Sequence, residues 1–202
     1  MTSRLQIINP ELTEYIRRYV SFSDNENEVF QSFLRVKKLN KKDFLLREGQ
    51  LCKSRYFVVK GCVRLYYIDS KGNEQIIHFG IDKWWITDYE SLINDIPSKL
   101  YIQATEDAEL LELSRERFDE LCRRIPKLER FFRKIMEKTY ISSQKRIEYM
   151  FSMSGEELFK HFIANNPEFA RRVPQYMIAS YLGLSPEFVS KVKRKNPVLN
   201  LD

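Results

Sequence analysis

The hydrophobic positions of this chain change rhythm near residue 114. From about Leu34 to Leu113, apolar residues fall in short runs broken by turn formers. Tyr56-Phe57-Val58-Val59 and Val63-Arg64-Leu65-Tyr66-Tyr67-Ile68 are rich in β-branched and aromatic residues, which suit a pleated, half-buried surface. Lys60-Gly61 separates them as a tight turn. Asp69-Ser70-Lys71-Gly72-Asn73 is a second turn, followed by Gln75-Ile76-Ile77-His78-Phe79. Tyr101 to Ala104 and Glu109 to Leu113 read as a last strand pair. Gly49, Gly61, Gly72 and Gly80 recur at the spacing of turns in an all-β sandwich or barrel. Ahead of this module, Asn9 to Phe33 reads as one or two short helices.

Beyond Ser114, a plausible N-cap, the period lengthens to that of a helix. The stretch from Leu121 to Met153 has no glycine and one proline, and predicts one long helix. Apolar residues recur in steps of three and four through Ile125, Leu128, Phe132, Ile135, Met136, Tyr140, Ile147 and Met150. Leu128, Phe132, Ile135, Met136 and Tyr140 read as a seam for a second copy of the helix. The alternative is that the stripe covers the chain's own sheet.

The most specific pattern lies between Val173 and Arg194. Gln175 to Leu182 predicts a first helix, with Ile178 and Leu182 on one face and the small Ala179 beside them. Gly183 suits the left-handed residue that ends a helix, and Leu184 fills the turn. Ser185 is a good N-cap, and Pro186 stands at the first helical position, where a missing N–H costs nothing. A second helix then runs from Pro186 to about Lys195, with Val189 and Val192 inward. Together these describe a helix-turn-helix.

Charge strengthens that reading. The 202 residues carry a net charge of +6, and residues 171–195 hold six basic side chains against one acidic one, Glu187. Basic charge on and around a recognition helix is the footprint of phosphate binding. Lys191 can donate to guanine, and Glu187 can accept from a cytosine amino group. Ser185 and the first amides of the second helix suit a phosphate oxygen. Lys193, Arg194 and Lys195 are expected on the DNA backbone. Gln175, Pro186 and Ser190 complete the expected DNA-facing set. Composition is ordinary for a globular chain, with 43% hydrophobic and 31% charged residues, and excludes wholesale disorder. No apolar run is long enough for a signal peptide core or a membrane span. Cys52, Cys62 and Cys122 are too scattered for a disulfide framework, so reduced thiols in the cytoplasm are expected.

A glycine-punctuated β module, a long helix and a C-terminal helix-turn-helix resemble the CRP/FNR family of bacterial transcription regulators over nearly the whole chain. Tyr56-Phe57-Val58-Val59-Lys60-Gly61, Glu109-Leu110-Leu111-Glu112-Leu113-Ser114 and the stretch Val173 to Arg194 carry the resemblance. It implies an α+β chain: a jelly-roll sensor (double-stranded β-helix, cyclic-nucleotide-binding-like) over 1–114, a dimerisation helix and hinge over 115–153, and a winged helix-turn-helix over 154–202. Double-stranded DNA, a second copy of the chain and RNA polymerase are the implied partners. The family's recognition helix usually carries an arginine, a glutamate and another arginine, where this chain has Pro186, Glu187 and Lys191. The short segment Asn165-Asn166-Pro167-Glu168-Phe169 points to a reduced wing.

The sensor departs further from the family. Members that bind cyclic AMP use a Gly-Glu pair for the ribose and an Arg-Ser or Arg-Thr pair for the phosphate. The corresponding places here hold Thr87-Asp88 and Ser98-Lys99. The cation facing the phosphate is missing, and Lys99 would point to the opposite face of a strand. A buried phosphodiester without a paired cation is strongly disfavoured, so cyclic AMP is not the expected effector. Trp84, Trp85 and Tyr89 line an apolar pocket or belong to an aromatic core; an unidentified small effector is open, and no cofactor is expected. Three dispersed cysteines do not make an iron–sulfur site, and His78 and His161 are too far apart in sequence for a jelly-roll metal centre. No motif for catalysis is present, and the chain is not expected to be an enzyme. The competing reading is a small-molecule-binding module that signals through protein contacts.

Overall fold

A computed structural model describes residues 9–196. Two helices open it, α1 (Pro10–Arg17) and α2 (Asp24–Ser32). Each starts where the sequence supplies an acceptor for its orphan amides: Asn9 Oδ1 accepts from Leu12 N, and Ser23 and Glu26 form a capping box. Eight strands follow: β1 (Arg35–Leu39), β2 (Phe44–Leu46), β3 (Ser54–Lys60), β4 (Val63–Ile68), β5 (Glu74–Gly80), β6 (Trp84–Ile86), β7 (Tyr101–Ala104) and β8 (Ala108–Ser114). A short helix, α3 (Tyr89–Asn94), lies between β6 and β7.

The strands form two four-stranded sheets, ordered β1-β8-β3-β6 and β2-β7-β4-β5. Alternation along β3 divides the core. Tyr56 and Val58 join Leu46, Val63, Ile86, Ile102 and Leu110 in one cluster. Phe57, on the other face, joins Leu111, Leu113 and the helical residues Leu12, Ile16, Phe30, Leu121 and Phe131 in a second. The β3–β4 turn requires its glycine. Gly61 has φ +110°, and a Cβ there would meet Ala108 at 2.6 Å. Gly80, expected at a turn, instead ends β5, packed between Val63 and Ile86.

The long helix expected from Leu121 is two helices. α4 (Arg115–Arg124) stops at Ile125-Pro126, and α5 (Lys127–Ser152) restarts for 26 residues. Proline disfavours helical backbone in the residue before it, and Ile125 is accordingly non-helical, with φ −130° and ψ 80°. Ser114 does occupy the N-cap of α4, but its side chain makes no capping hydrogen bond. Four helices complete the chain: α6 (Gly155–Asn165), α7 (Pro167–Arg172), α8 (Gln175–Tyr181) and α9 (Pro186–Lys195). After Ser114 the described residues contain no strand, and the segment Asn165 to Phe169 is largely helical.

The described residues gather into two compact units. One comprises Met1–Leu65 with Phe79–Glu137; the other comprises Tyr66–His78 with Lys138–Asp202. Among the described residues, no helix is long and apolar enough to cross a membrane.

Candidate nucleic-acid interface and sensor site

Ser180 anchors the first helix of the C-terminal pair. Its hydroxyl donates to the Glu74 carbonyl at 2.7 Å and accepts from Ile76 N at 2.9 Å, so α8 is fastened to the backbone of β5. Arg146 of α5 donates to the Ile77 carbonyl at 2.6 Å and lies over the Tyr181 ring. Beside it, loss of hydration first and the Arg146 charge second push the His78 imidazole down to about 4. The sequence gave no sign of these contacts, because nothing local marks a strand and a helix 104 residues apart as neighbours.

The turn between α8 and α9 follows the sequence reading. Gly183 has φ +70°, and Leu184 N donates back to the Ala179 carbonyl at 2.9 Å. Ser185 caps α9, its Oγ accepting from Phe188 N at 3.1 Å, and Pro186 follows at the first helical position. Ile178, Ala179, Leu182, Val189 and Val192 are buried, joined by Met177, which the pattern left out. Leu184, expected in this small core, is only half-buried. Gly155 lets α6 close in: a Cβ there would meet Leu184 at 2.9 Å and Phe188 at 3.0 Å.

What α9 leaves outside is one face. Glu187, Ser190, Lys191 and Arg194 are exposed, at the i, i+3, i+4, i+7 spacing of neighbours on a helix surface. Ser185 and Pro186 are also exposed at its start; Gln175 and Lys193 are half-buried. Arg171 and Arg172 are exposed at the end of α7. The face therefore pairs base-reaching donors and one acceptor with a basic border.

In the β unit, the residues expected around a ligand use their polar atoms on one another. Asp88 is 4% exposed and caps α3, accepting from Glu90 N at 3.0 Å and Ser91 N at 3.3 Å. Its other oxygen accepts the Ser98 hydroxyl at 2.7 Å. Thr87 donates to the Ser54 carbonyl at 2.9 Å and lies 3.2 Å from Cys52 Sγ. Ser91 accepts from Cys52 N and donates to the Ile96 carbonyl. Lys99 is exposed. Trp85 is in the aromatic core, 5.4 Å from Phe57 and 5.1 Å from Phe132, while Trp84 is 44% exposed. Tyr89 opens α3 beside the Arg55 guanidinium, with burial raising its hydroxyl. The network holds a carboxylate where a cyclic phosphate needs a cation, and none of its partners is cationic. These residues do not suit a cyclic nucleotide.

The expected seam on α5 needs a correction. Leu128, Phe132 and Ile135 are buried in the chain's own core with Phe131, so no second helix can reach them. The exposed apolar residues begin at Met136 and continue through Tyr140, Ile141, Ile147, Met150 and Phe151. Positions 136, 140, 143, 147 and 150 repeat in steps of four and three, with Ser143 as the polar member. No group of three or more metal-ligating side chains occurs among the described residues.

Residues 36–125 match the family model of the cyclic nucleotide-binding domain. The chain is 26% identical over 187 residues to the anaerobic regulatory protein of Aggregatibacter actinomycetemcomitans, covering 86% of this chain and 72% of that protein. It is 27% identical over 188 residues to the fumarate and nitrate reduction regulatory protein of Vibrio cholerae, covering 86% and 74%. Among solved structures, the c-di-GMP responsive global regulator CLP of Xanthomonas campestris shares the fold, with a TM-score of 0.70 at 17% identity over 87% of this chain and 92% of that one. The matched sensor domain, these relatives and the shared fold identify the chain as a regulator of the CRP/FNR type.

Proposed function

We propose that the protein is a dimeric transcription regulator that reads DNA with α9 and does not answer to cyclic AMP. The observation carrying this is the single exposed face of α9, with Glu187, Ser190, Lys191 and Arg194 set over a buried helix-turn-helix core. Lys191 and Glu187 read base edges; Ser185, Lys193 and Arg194 hold phosphates; Gln175 and Ser190 flank them. Pro186 replaces the usual arginine, so the half-site differs from the family's common one. Dimerisation uses the exposed stripe Met136, Tyr140, Ile147 and Met150, bringing two α9 helices to half-sites about one DNA turn apart. RNA polymerase is a partner by analogy with relatives named as transcriptional activators. The protein acts by binding rather than by catalysis, in the cytoplasm.

Selection of bound duplexes from a random pool, with no added effector, tests the reading. Enrichment of an inverted repeat with half-sites about one turn apart is expected. Salt-sensitive binding without any enriched sequence, in buffer and in cell extract alike, would overturn it.

A further inference from the structure

Arg55 is a buried guanidinium without a counter-ion. It lies on β3, 8% exposed, and its Nη1 is buried with no hydrogen-bond partner. An arginine stays charged in a protein, so burial cannot be relieved by losing the proton. An uncompensated buried charge is costly, and a site that retains one is completed by an anion.

The surroundings supply none. Arg55 stacks on the Phe118 ring of α4 at 4.2 Å, and its other neighbours are Tyr89, Cys122 and Cys52. Burial pushes the Cys122 thiol up to about 11 and raises the Tyr89 hydroxyl, so neither is an anion near neutral pH. Cys52 hydrogen-bonds to the Ser54 carbonyl. No ion pair to a carboxylate is formed by Arg55.

A second orphan donor lies in the same layer. Trp85 Nε1 is also buried without a partner. Arg55 and Phe57 point to one face of β3, and Phe57 pairs with Trp85 across β6, so Arg55 is diagonal to Trp85 on that face. Phe118, Phe132 and Trp85 run in contact, with ring centroids 5.1 Å apart at each step, and link the two donors through an aromatic wall. This is the helix-facing side of the sheet. Thr87 and Asp88 serve the other network, so the site is separate from the cyclic-nucleotide position.

We propose that Arg55 and Trp85 bind a small monoanionic carboxylate with an aromatic or branched apolar body, between β3 and α4. One guanidinium balances one carboxylate. A phosphate dianion would need a second cation, and the other buried cation of the described residues, Arg64, spends its guanidinium on Gln103 at 2.6 Å. The indole N–H takes a second carboxylate lone pair, and Phe57, Phe118 and Phe132 cover the apolar body.

The test does not involve DNA, so it fails or succeeds independently of the regulator reading. The chain has two tryptophans, so a Trp84→Phe variant leaves Trp85 as the sole indole reporter. Phenylacetate is titrated against it, with 2-phenylethanol as the neutral isostere. A saturable change in Trp85 emission and a rise in Tm are expected with phenylacetate, at least about 10-fold weaker with 2-phenylethanol. The added substitution Arg55→Met should abolish both, while leaving the ligand-free protein folded with an unchanged or higher Tm. No saturable response up to about 10 mM phenylacetate, or an equal response in the Arg55→Met protein, overturns the proposal. A ligand-free Tm that falls on Arg55→Met also overturns it, because the guanidinium would then be compensated within the chain.

Discussion

The Ser98 hydroxyl donates to the Asp88 carboxylate at 2.7 Å, and that single bond joins the two positions at which a cyclic nucleotide would be held. Asp88 also caps α3, so it is spent twice over within the chain. Asp88→Ala should therefore destabilise the protein by about 2–4 kcal/mol, the sum of a lost cap and buried donors left unpaired. Ser98→Ala should cost less. In a double-mutant cycle the two should couple, which denaturant unfolding can measure. Cyclic AMP at millimolar concentration should leave Tm unchanged.

Gly61 and Gly72 both have positive φ, yet they should respond differently to alanine. At Gly72 a Cβ meets nothing within 4 Å, so only backbone strain is expected, about 1 kcal/mol. At Gly61 a Cβ falls 2.7 Å from the Asp107 carbonyl oxygen and 2.6 Å from Ala108 Cα. Backbone cannot swing aside, so Gly61→Ala should cost about 3 kcal/mol or more. Equal losses for the two variants would contradict this packing.

His78 makes stability depend on pH. Its imidazole titrates at about 4 in the folded chain, against a reference of 6.5. Between those values the unfolded state binds more protons, so stability falls with falling pH. The contribution is complete above about 6.5 and is lost progressively down to about 4, at most about 3 kcal/mol. His78→Gln should flatten that part of the curve. Unfolding midpoints at pH 7.5 and pH 5 measure it.

Lys191 and Lys193 should separate specificity from affinity. Lys191→Ala should lower discrimination at one base pair by about 1–3 kcal/mol and weaken other sequences little. Lys193→Ala should weaken all sequences alike and flatten the salt dependence. Binding isotherms on the selected site and on a single-position variant, each at two salt concentrations, decide between these roles.

On α5, Tyr140→Glu with Ile147→Glu should convert the dimer to monomer in sedimentation and raise the DNA concentration needed for half-saturation. The substitutions lie on exposed residues, so Tm of the chain should change little.

The helix-turn-helix could be read from the chain because its instructions are local. Gly183, Ser185 and Pro186 each act through their own backbone or the next turn, and Val189 and Val192 are three apart. The strands were legible for the same reason, through alternation and turn residues. The α4–α5 break was also local, in the Ile125-Pro126 step, but the apolar stripe running through it suggested one helix.

The sequence alone determined the order of the elements, the basic face of α9 and the lack of a cation for a cyclic phosphate. Tertiary structure decided where side chains end up when two surfaces compete for them. Leu128, Phe132 and Ile135 have the spacing of a partner seam, and periodicity does not distinguish a partner from the chain's own core; packing against Phe57, Trp85 and Leu121 settled it. The same holds for Ser180 on the β5 backbone and for Arg55 among aromatic rings. Burial and hydrogen bonding between residues far apart in sequence are properties of the assembled fold, and no local pattern encodes them.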